Sequence, residues 1–307
     1  MSNTVFRLTS FGESHGVAVG GVIEGCPSGL KIDRQLIQDD LARRATGKTS
    51  SESQRREADE VEFLSGLLDG VTLGTPIAFI VRNTDARPED YQDLKETFRP
   101  SHADYTYQAK YGIRDWRGGG RASARTMLPY VVAGAIAKQL LQQQGVAIHA
   151  EVQSIGGETE PSKIEALLAQ CRAEGDTVGG VVRGSITGLP AGLGEPLDDK
   201  FQACLAKAMF TIPAVKGFEY GDGFAMAAMR GSEANDPMVV SDGNVKFLTN
   251  HSGGIQGGIT NGEEVFFNVA FKPIPSLGRG DRHDVCALPR AAVIVEAMAA
   301  LTAIRFC

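Results

Sequence analysis

The chain has few of the features that mark secreted, membrane or metal-binding proteins. Its five cysteines are scattered, and none lies in a Cys-x-x-Cys pair. This pattern excludes a disulfide framework and a zinc centre, so we expect free thiols in a reducing compartment and no bound metal. No apolar run approaches the roughly 18–20 residues that span a bilayer, and the N-terminal segment has no apolar signal core. The sequence therefore predicts a soluble, cytoplasmic protein that makes no membrane contact.

Positive charge is scarce over the whole chain but concentrated in one part of it. The 307 residues carry a net charge of −6, which argues against a surface for nucleic acid. Nevertheless, 11 of the 20 arginines lie between Arg43 and Arg125. Arginine binds phosphate and carboxylate groups with two hydrogen bonds, so this local excess predicts a site for a small, multiply charged anion.

Helical and strand-like patterns alternate along the chain without a regular βαβ order. The clearest helices are predicted over 129–144 and 288–303, and alternating apolar residues predict strands over 146–152 and 264–271. Many of the 37 glycines stand in pairs or triplets, which is typical of tight loops and of backbone that approaches a ligand. No linker or repeat divides the chain, so we predict an α+β fold with a single domain over residues 1–307.

The segment 99–126, RPSHADYTYQAKYGIRDWRGGGRASART, combines five arginines with one histidine and three consecutive glycines. His102 can move protons near neutral pH. The residues after the glycines predict a helix start, where free N–H groups, Ser123 and Arg125 can hold phosphate. An RNA-binding RGG box is the alternative, but a single RGGGR followed by an apolar helix is not typical of one. The segment therefore predicts an anion site at which proton chemistry takes place.

A second histidine, His15, lies in the loop-like sequence GESHG at 12–16. This sequence satisfies the Gly-x-Ser-x-Gly pattern of a nucleophile elbow, but a strand-like segment follows it where that motif needs a helix. A serine hydrolase is therefore disfavoured. Taken alone, His15 fits either a structural loop residue or a group that faces a ligand.

Ten segments, in order along the chain, resemble the chorismate synthase family and together run through nearly all of it. They are FGESHG (11–16), RR (43–44), READEVEFLSG (56–66), RPSHADYTYQAKYGIRDWRGGGRASAR (99–125), GLGEP (192–196), IPAVKGFEYGDGF (212–224), GSEANDP (231–237), GGIQGGITNG (253–262), KPIPS (272–276) and RHDVCALPRA (282–291). No single segment is specific, but ten in the same order are.

The resemblance implies a fold, a reaction and a cofactor. The family fold is a β-α-β sandwich, usually assembled as a homotetramer. The implied reaction is that of a lyase at the last step of the shikimate pathway, a 1,4-elimination that converts 5-enolpyruvylshikimate 3-phosphate to chorismate and phosphate. It requires reduced FMN (FMNH2) beside the substrate, although there is no net redox change. The substrate carries a phosphate and two carboxylates, which suits the local arginine excess.

The same resemblance implies roles for individual residues. His15 is expected to protonate the departing phosphate, His102 to manage the proton of the reduced flavin, and Asp284 to help remove the ring proton. The arginines expected to clamp the anionic groups of the substrate are Arg43, Arg44, Arg99 and Arg125. The residues expected to contact FMN are Arg121, Ala122, Ser123, Pro213, Ala214, Gly257, Lys272, Pro273, Ile274, Pro275, Ser276 and Arg282.

A possible NADPH contact is implied for Arg44 as well, because it matches such a position in the family. The partner arginine expected in the following loop is replaced by Ser50. The resemblance therefore implies that NADPH serves only for flavin reduction and that an external flavin reductase supplies the reduced cofactor.

The chain departs from the family pattern at several places. Thr126 replaces the usual acidic residue after SAR, and Asp281 stands where glycine is expected. Relative to the family, residues are missing near 158–163 and 277–281, at the borders of the expected flavin pocket. Two alternative functions stay open: an ordinary FMN oxidoreductase, and a non-catalytic relative that binds flavin or an anion.

Overall fold

Two four-stranded antiparallel sheets lie on either side of a layer of helices. The computed structural model describes residues 5–45, 57–241, 243–275 and 284–307. The strands in these ranges are β1 (Arg7–Phe11), β2 (Ala18–Glu24), β3 (Glu62–Phe63), β4 (Leu67–Leu68), β5 (Val71–Thr72), β6 (Ile77–Arg82), β7 (Ala147–Ile155), β8 (Gly180–Thr187), β9 (Val215–Tyr220), β10 (Met238–Ser241), β11 (Asn244–Phe247), β12 (Ile255–Gln256), β13 (Ile259–Thr260) and β14 (Val265–Phe271). The helices are α1 (Arg34–Arg44), α2 (Asp104–Tyr111), α3 (Leu128–Gln142), α4 (Pro161–Glu174), α5 (Phe201–Phe210), α6 (Gly231–Ala234) and α7 (Leu288–Ala303).

The first sheet has the strand order β1-β2-β6-β3, and the second has the order β7-β8-β14-β9. All the pairs in both sheets are antiparallel. An antiparallel sheet can pack one face on the core and leave the other to solvent, which produces alternating burial. In β14, Val265, Phe267 and Val269 are fully buried, whereas Phe266 and Asn268 between them are half-buried. The buried face of each sheet points toward the helices.

The helix layer is closely packed at its centre. α3 packs against β2 and α7, and α7 packs against β7 and β8. Gly134 of α3 faces Ala297 of α7, and a Cβ atom at position 134 would lie 2.5 Å from the Ala297 Cα atom. The missing side chain therefore allows the two helices to approach, and the architecture is a sandwich of sheet, helices and sheet.

A buried carboxylate ties the helix layer together. Glu296 of α7 is 2% exposed, and its two oxygens accept hydrogen bonds of 2.7 Å from the two terminal nitrogens of Arg43 in α1. It also accepts from Lys138 of α3 at 3.2 Å and from the backbone N–H of Ala150 in β7 at 3.1 Å. Burial raises the pKa of Glu296, but its hydrogen bonds with Arg43 and the charge of Lys138 outweigh burial, so the pKa is lowered.

The structure confirms the main expectations about the fold. The predicted helices over 129–144 and 288–303 are α3 and α7, and the predicted strands over 146–152 and 264–271 are β7 and β14. The α+β class is confirmed as well. The organisation in a single domain stays a prediction. Among the described helices, none has the length and apolar character needed to cross a bilayer.

Candidate active site

A cavity of about 1060 Å³ opens where the loop after β1, the segment around 99–127, the start of β9 and the start of α7 meet. The predicted site residues that line it are His15, Arg44, Arg99, His102, Arg121, Ala122, Ser123, Arg125, Pro213, Ala214, Lys272, Ile274, Pro275 and Asp284. The sequence distributes these residues over 270 positions, and the fold brings them to one wall. Among the described residues, the lining holds seven Arg or Lys side chains and four carboxylates, so its charge favours an anionic ligand.

The three consecutive glycines 118–120 form the backbone against which both histidines of the cavity pack. Gly118, Gly119 and Gly120 have φ values of +58°, +85° and +53°, a region that side chains rarely adopt. A Cβ atom at Gly118 would lie 2.1 Å from two atoms of the His15 ring, and one at Gly119 would lie 2.9 Å from His102 Cε1. Glycine is therefore required here so that both histidines can pack against one short stretch of backbone.

His15 is held from several sides and is only 8% exposed. Its Nδ1 lies 3.0 Å from the Ser14 hydroxyl, and its ring packs edge-on against Tyr91 with 5.0 Å between centroids. Asn83 fixes the loop by donating to the carbonyl oxygens of Glu13 at 3.1 Å and Gly16 at 2.7 Å. The loop histidine thus has one defined position at the cavity wall, as a general acid requires.

His102 lies against a buried ion pair. Asp104 accepts hydrogen bonds of 2.9 Å from Nε and Nη2 of Arg99, and His102 Nδ1 is 2.9 Å from Asp104 Oδ1. Burial raises the pKa of Asp104, but hydrogen bonds from Arg99 and His102 outweigh it and hold this pKa far below its ordinary value. The carboxylate therefore stays charged behind the imidazole.

Two of the predicted substrate arginines share one buried carboxylate. Asp59 accepts from Arg44 at 2.7 Å and from Arg125 at 3.0 Å, and Arg125 also contacts Glu57 at 2.6 Å. Arg44 Nε is buried and has no hydrogen-bond partner among the described residues. A buried N–H without an acceptor is costly, so this nitrogen is a candidate contact for a ligand oxygen.

On the side predicted for FMN, Arg121 and Lys272 donate hydrogen bonds to uncharged oxygen atoms. Arg121 donates to the Gly12 carbonyl at 2.9 Å and to the Ser10 hydroxyl at 2.8 Å. Lys272 donates through Nζ to the Ser101 carbonyl at 2.7 Å. Burial, with a smaller effect of a nearby lysine, lowers the pKa of Lys272. Those contacts do not neutralise the charges of Arg121 and Lys272, which remain available to an anionic group such as a phosphate.

The third predicted catalytic residue, Asp284, also lines the cavity and is 4% exposed. Its carboxylate is hydrogen-bonded to Arg290 of α7, which also lines the cavity. Thr126, where the family pattern is broken, is buried and does not line the cavity; its hydroxyl donates to the carbonyl oxygens of Arg121 and Ser123. At that position the threonine hydroxyl therefore stabilises the loop 121–126 by hydrogen bonds.

Several predicted site residues are not at the cavity. Arg43 lies outside it because its guanidinium is bound to Glu296, so its expected contact with substrate is corrected here. Gly257, in the turn between β12 and β13, and Pro273 also do not line the cavity. The expectations for Ser50, Ser276, Asp281 and Arg282, and for missing residues near 277–281, fall outside the described residues.

The sequence reasoning gave no role to several side chains that shape the site. Asp59, Tyr91, Asp104 and Arg290 contact Arg44, His15, His102 and Asp284 respectively. Asp59 lies within the READEVEFLSG segment, which was a usable signal because buried arginines need carboxylate partners. The contact of Tyr91 with His15 has no signal in the sequence, since the two residues lie far apart in it.

Comparisons with known proteins identify the family of the chain. A profile of the chorismate synthase family matches residues 6–281. The chain is 50% identical to the chorismate synthase of Christiangramia forsetii and 49% identical to that of Porphyromonas gingivalis; each alignment covers 97% of the chain, and they cover 94% and 92% of those relatives. It is also similar to a crystal structure of chorismate synthase, with a TM-score of 0.81 and 30% identity over 98% of the chain and 91% of that structure.

The relatives are longer than this chain. The alignment with the Christiangramia protein extends over 337 positions, whereas the chain has 307 residues. The relative therefore contains residues that have no counterpart here, as the family pattern led us to expect. The matches nevertheless extend over nearly the whole chain, and the solved structure confirms the sandwich fold. The chain belongs to the chorismate synthase family, the lyases of the terminal step of the shikimate pathway.

Proposed function

We propose that the chain converts 5-enolpyruvylshikimate 3-phosphate to chorismate and phosphate by a 1,4-elimination that depends on reduced FMN. The observation that carries the proposal is the arrangement of His15 and His102 on the two neighbouring glycines Gly118 and Gly119, inside one cationic cavity. A charged substrate and two proton carriers can meet there. This is the combination that an elimination of phosphate needs, because a proton leaves the ring and the departing phosphate gains one.

The cavity residues fit a flavin mononucleotide beside a small anion. A volume of about 1060 Å³ exceeds that of most single-ligand pockets. Arg121 and Lys272 carry charges that their bonds to neutral oxygens leave for an anionic group, and Arg44 Nε is buried without an acceptor among the described residues. Arg121, Ala122, Ser123, Pro213, Ala214, Lys272, Ile274 and Pro275 would hold the cofactor. When bound, reduced FMN supplies electron density and proton affinity next to the substrate ring.

The remaining steps belong to side chains of the protein. Arg44 and Arg125 hold the substrate anions, and His15 donates a proton to the phosphate oxygen as the carbon–oxygen bond breaks. Asp284 takes part in removing the ring proton, and Arg290 positions its carboxylate with a hydrogen bond. His102 can take up a proton on the cofactor side. Substrate charge is thus bound by arginine, and each proton has a donor or an acceptor.

The test is an anaerobic incubation of the protein with the substrate and chemically reduced FMN, in which chorismate and phosphate are followed together. Equal release of both, with none from oxidised FMN, is expected. Release of neither at saturating flavin would overturn the proposal and favour a non-catalytic relative. Consumption of NAD(P)H in step with formation of a reduced organic product would instead identify an oxidoreductase.

The proposal also includes the compartment, the assembly and the source of the reduced flavin. We expect a cytoplasmic homotetramer supplied with reduced flavin by an external reductase. All five cysteines are free thiols, which suits a reducing compartment. Met238, Val240 and Val245 of the β10–β11 hairpin are 63%, 74% and 55% exposed, an apolar surface that suits subunit contact. Analytical ultracentrifugation of the wild type and of Val240→Asp tests the assembly, since the variant should dissociate and a monomeric wild type would contradict it.

A further inference from the structure

A buried carboxylate, that of Asp104, lies directly beside the imidazole of His102. Asp104 is the first residue of α2, is 3% exposed and does not line the cavity. Two side chains that line the cavity connect Asp104 to it: His102, whose Nδ1 lies 2.9 Å from the carboxylate, and Arg99, which donates to both carboxylate oxygens. Of the two, His102 is the one that can carry a proton.

The contacts of Asp104 determine which ring nitrogen carries hydrogen. A carboxylate oxygen 2.9 Å from Nδ1 can only accept, so two lone pairs would repel each other if Nδ1 were unprotonated. Arg99 Nη2 lies 3.1 Å from Nδ1 and donates one hydrogen to Asp104 Oδ1 at 2.9 Å. Its second hydrogen could reach an unprotonated Nδ1, but that nitrogen would still face the Asp104 oxygen lone pair to lone pair. The arrangement that satisfies all three groups has hydrogen on Nδ1 and both donors directed at the carboxylate.

We propose that Asp104 is a positioning residue that keeps neutral His102 in its Nδ1–H tautomer and so presents the Nε2 lone pair to the cavity. This inference rests on the proposed function in so far as His102 serves the bound cofactor. A lone pair on Nε2 is what the ring needs in order to accept a proton from a ligand in the cavity. With hydrogen on Nε2, the neutral ring could only donate there.

Arg99 keeps this arrangement in place. It holds Asp104 with two side-chain hydrogen bonds and a third from its backbone N–H at 3.0 Å. The other cations on this side are Arg114, 3.8 Å from Asp104, and Lys272, bonded to Ser101 next to His102. Burial raises the pKa of Asp104, but the hydrogen bonds from Arg99 and His102 outweigh it, so the carboxylate remains charged and an acceptor. Arg99 therefore fixes the carboxylate that faces His102 Nδ1.

The direct test is ¹⁵N NMR of the flavin-free protein labelled at histidine, recorded at a pH where the imidazole is neutral. The shift of an unprotonated ring nitrogen differs strongly from that of a protonated one, and His102→Gln identifies the signals by their loss. The wild-type protein should show Nδ1 protonated and Nε2 unprotonated. An Nε2–H tautomer in the wild type overturns the inference, and this measurement needs no substitution at Asp104.

The variants then test the cause. Asp104→Asn should increase the share of the Nε2–H tautomer, because an amide can donate to Nδ1. The matched control is Asp115→Asn, which removes a carboxylate held by two hydrogen bonds from Arg117 in the same segment and should leave the His102 signals in place. An unchanged tautomer in a folded Asp104→Asn protein also overturns the inference; if that variant does not fold, the wild-type spectrum decides.

Activity separates this inference from the proposed function. In Asp104→Asn, kcat should fall more than about tenfold while KM for the substrate stays within about threefold, because Asp104 does not line the cavity. A wild-type protein with the expected tautomer but no chorismate formation would contradict the function and leave the tautomer assignment standing. Full kcat in a variant with an altered tautomer would show that the positioning has no catalytic consequence and would refute the role.

Discussion

A single methyl group at Gly118 should displace the general acid. In Gly118→Ala, the new Cβ atom would lie 2.1 Å from Cε1 and from Nδ1 of His15. Carbon atoms in contact normally stay about 3.5–4.0 Å apart, so the imidazole must move by roughly 1.5 Å. A misplacement of about 1 Å can cost about 10²-fold in rate. We therefore expect kcat to fall by at least about 10²-fold, while the affinity for FMN changes little.

Backbone strain must be separated from this collision. Gly118 has φ +58°, and alanine in the left-handed region costs about 1–2 kcal/mol. Gly145→Ala is the matched control, because Gly145 has φ +79°, follows α3 and has nothing within 4 Å of an added Cβ atom. Both variants should lose similar free energy of unfolding, measured by urea titration, but only Gly118→Ala should lose turnover.

The assay is the anaerobic release of chorismate with reduced FMN, combined with a double-mutant cycle. Because the methyl group is expected to act through His15, adding His15→Ala to Gly118→Ala should lower kcat much less than His15→Ala does alone. Turnover of Gly118→Ala within threefold of the control would refute the reasoning. So would fully additive effects of the two substitutions.

Three further predictions concern other parts of the molecule. His15→Ala and His102→Ala should each lower kcat by about 10²–10⁴-fold with small changes in KM, and a loss under tenfold in steady-state kinetics would leave that histidine a structural role only. Glu296→Gln should cost about 1–2 kcal/mol in urea unfolding, because Arg43 and Lys138 lose one carboxylate partner but keep Asp40. The pKa of Glu296 is lowered in the folded state. Its stabilisation of the fold should therefore be complete above the unfolded pKa of about 4.3 and should disappear as pH falls through the folded value. A difference in free energy of unfolding between wild type and variant that is constant from pH 7 to pH 3 would contradict this. Thr126→Val should lower the thermal midpoint by a few degrees through loss of two loop hydrogen bonds, and unchanged flavin affinity is expected because Thr126 does not line the cavity.

Local patterns predicted the elements whose residues repeat at a helical or strand spacing. α3 and α7 are almost wholly apolar and were predicted within two residues of their bounds. Short elements such as α2 (Asp104–Tyr111) and the hairpin β12–β13 have too few residues for a periodic signal. The β12–β13 hairpin is held by distant residues, since the backbone N–H of Phe201 donates to Gly258 and that of Leu193 to Thr260, which no local pattern contains.

Two neighbouring arginines show that local sequence could not assign every site residue either. Arg43 and Arg44 are neighbours in the sequence, and residue type alone could not show which of them faces the site. In the structure they point to opposite partners: Arg43 binds Glu296 in the helix layer, whereas Arg44 binds Asp59 at the cavity. Successive residues on a helix lie about 100° apart, so only one of the two can face the site.

The sequence alone was enough to predict the α+β class, which the structure confirms, and to predict an anion site with two proton carriers. Residue chemistry and apolar spacing are properties of the chain itself, and the ordered motifs carried the family resemblance. Only the tertiary structure decided that His15 and His102 share one glycine turn, that Asp104 stands behind His102, and that Arg43 serves the helix layer. These facts depend on which distant groups fill the space around a side chain, and that is determined when the sheets close over the helices.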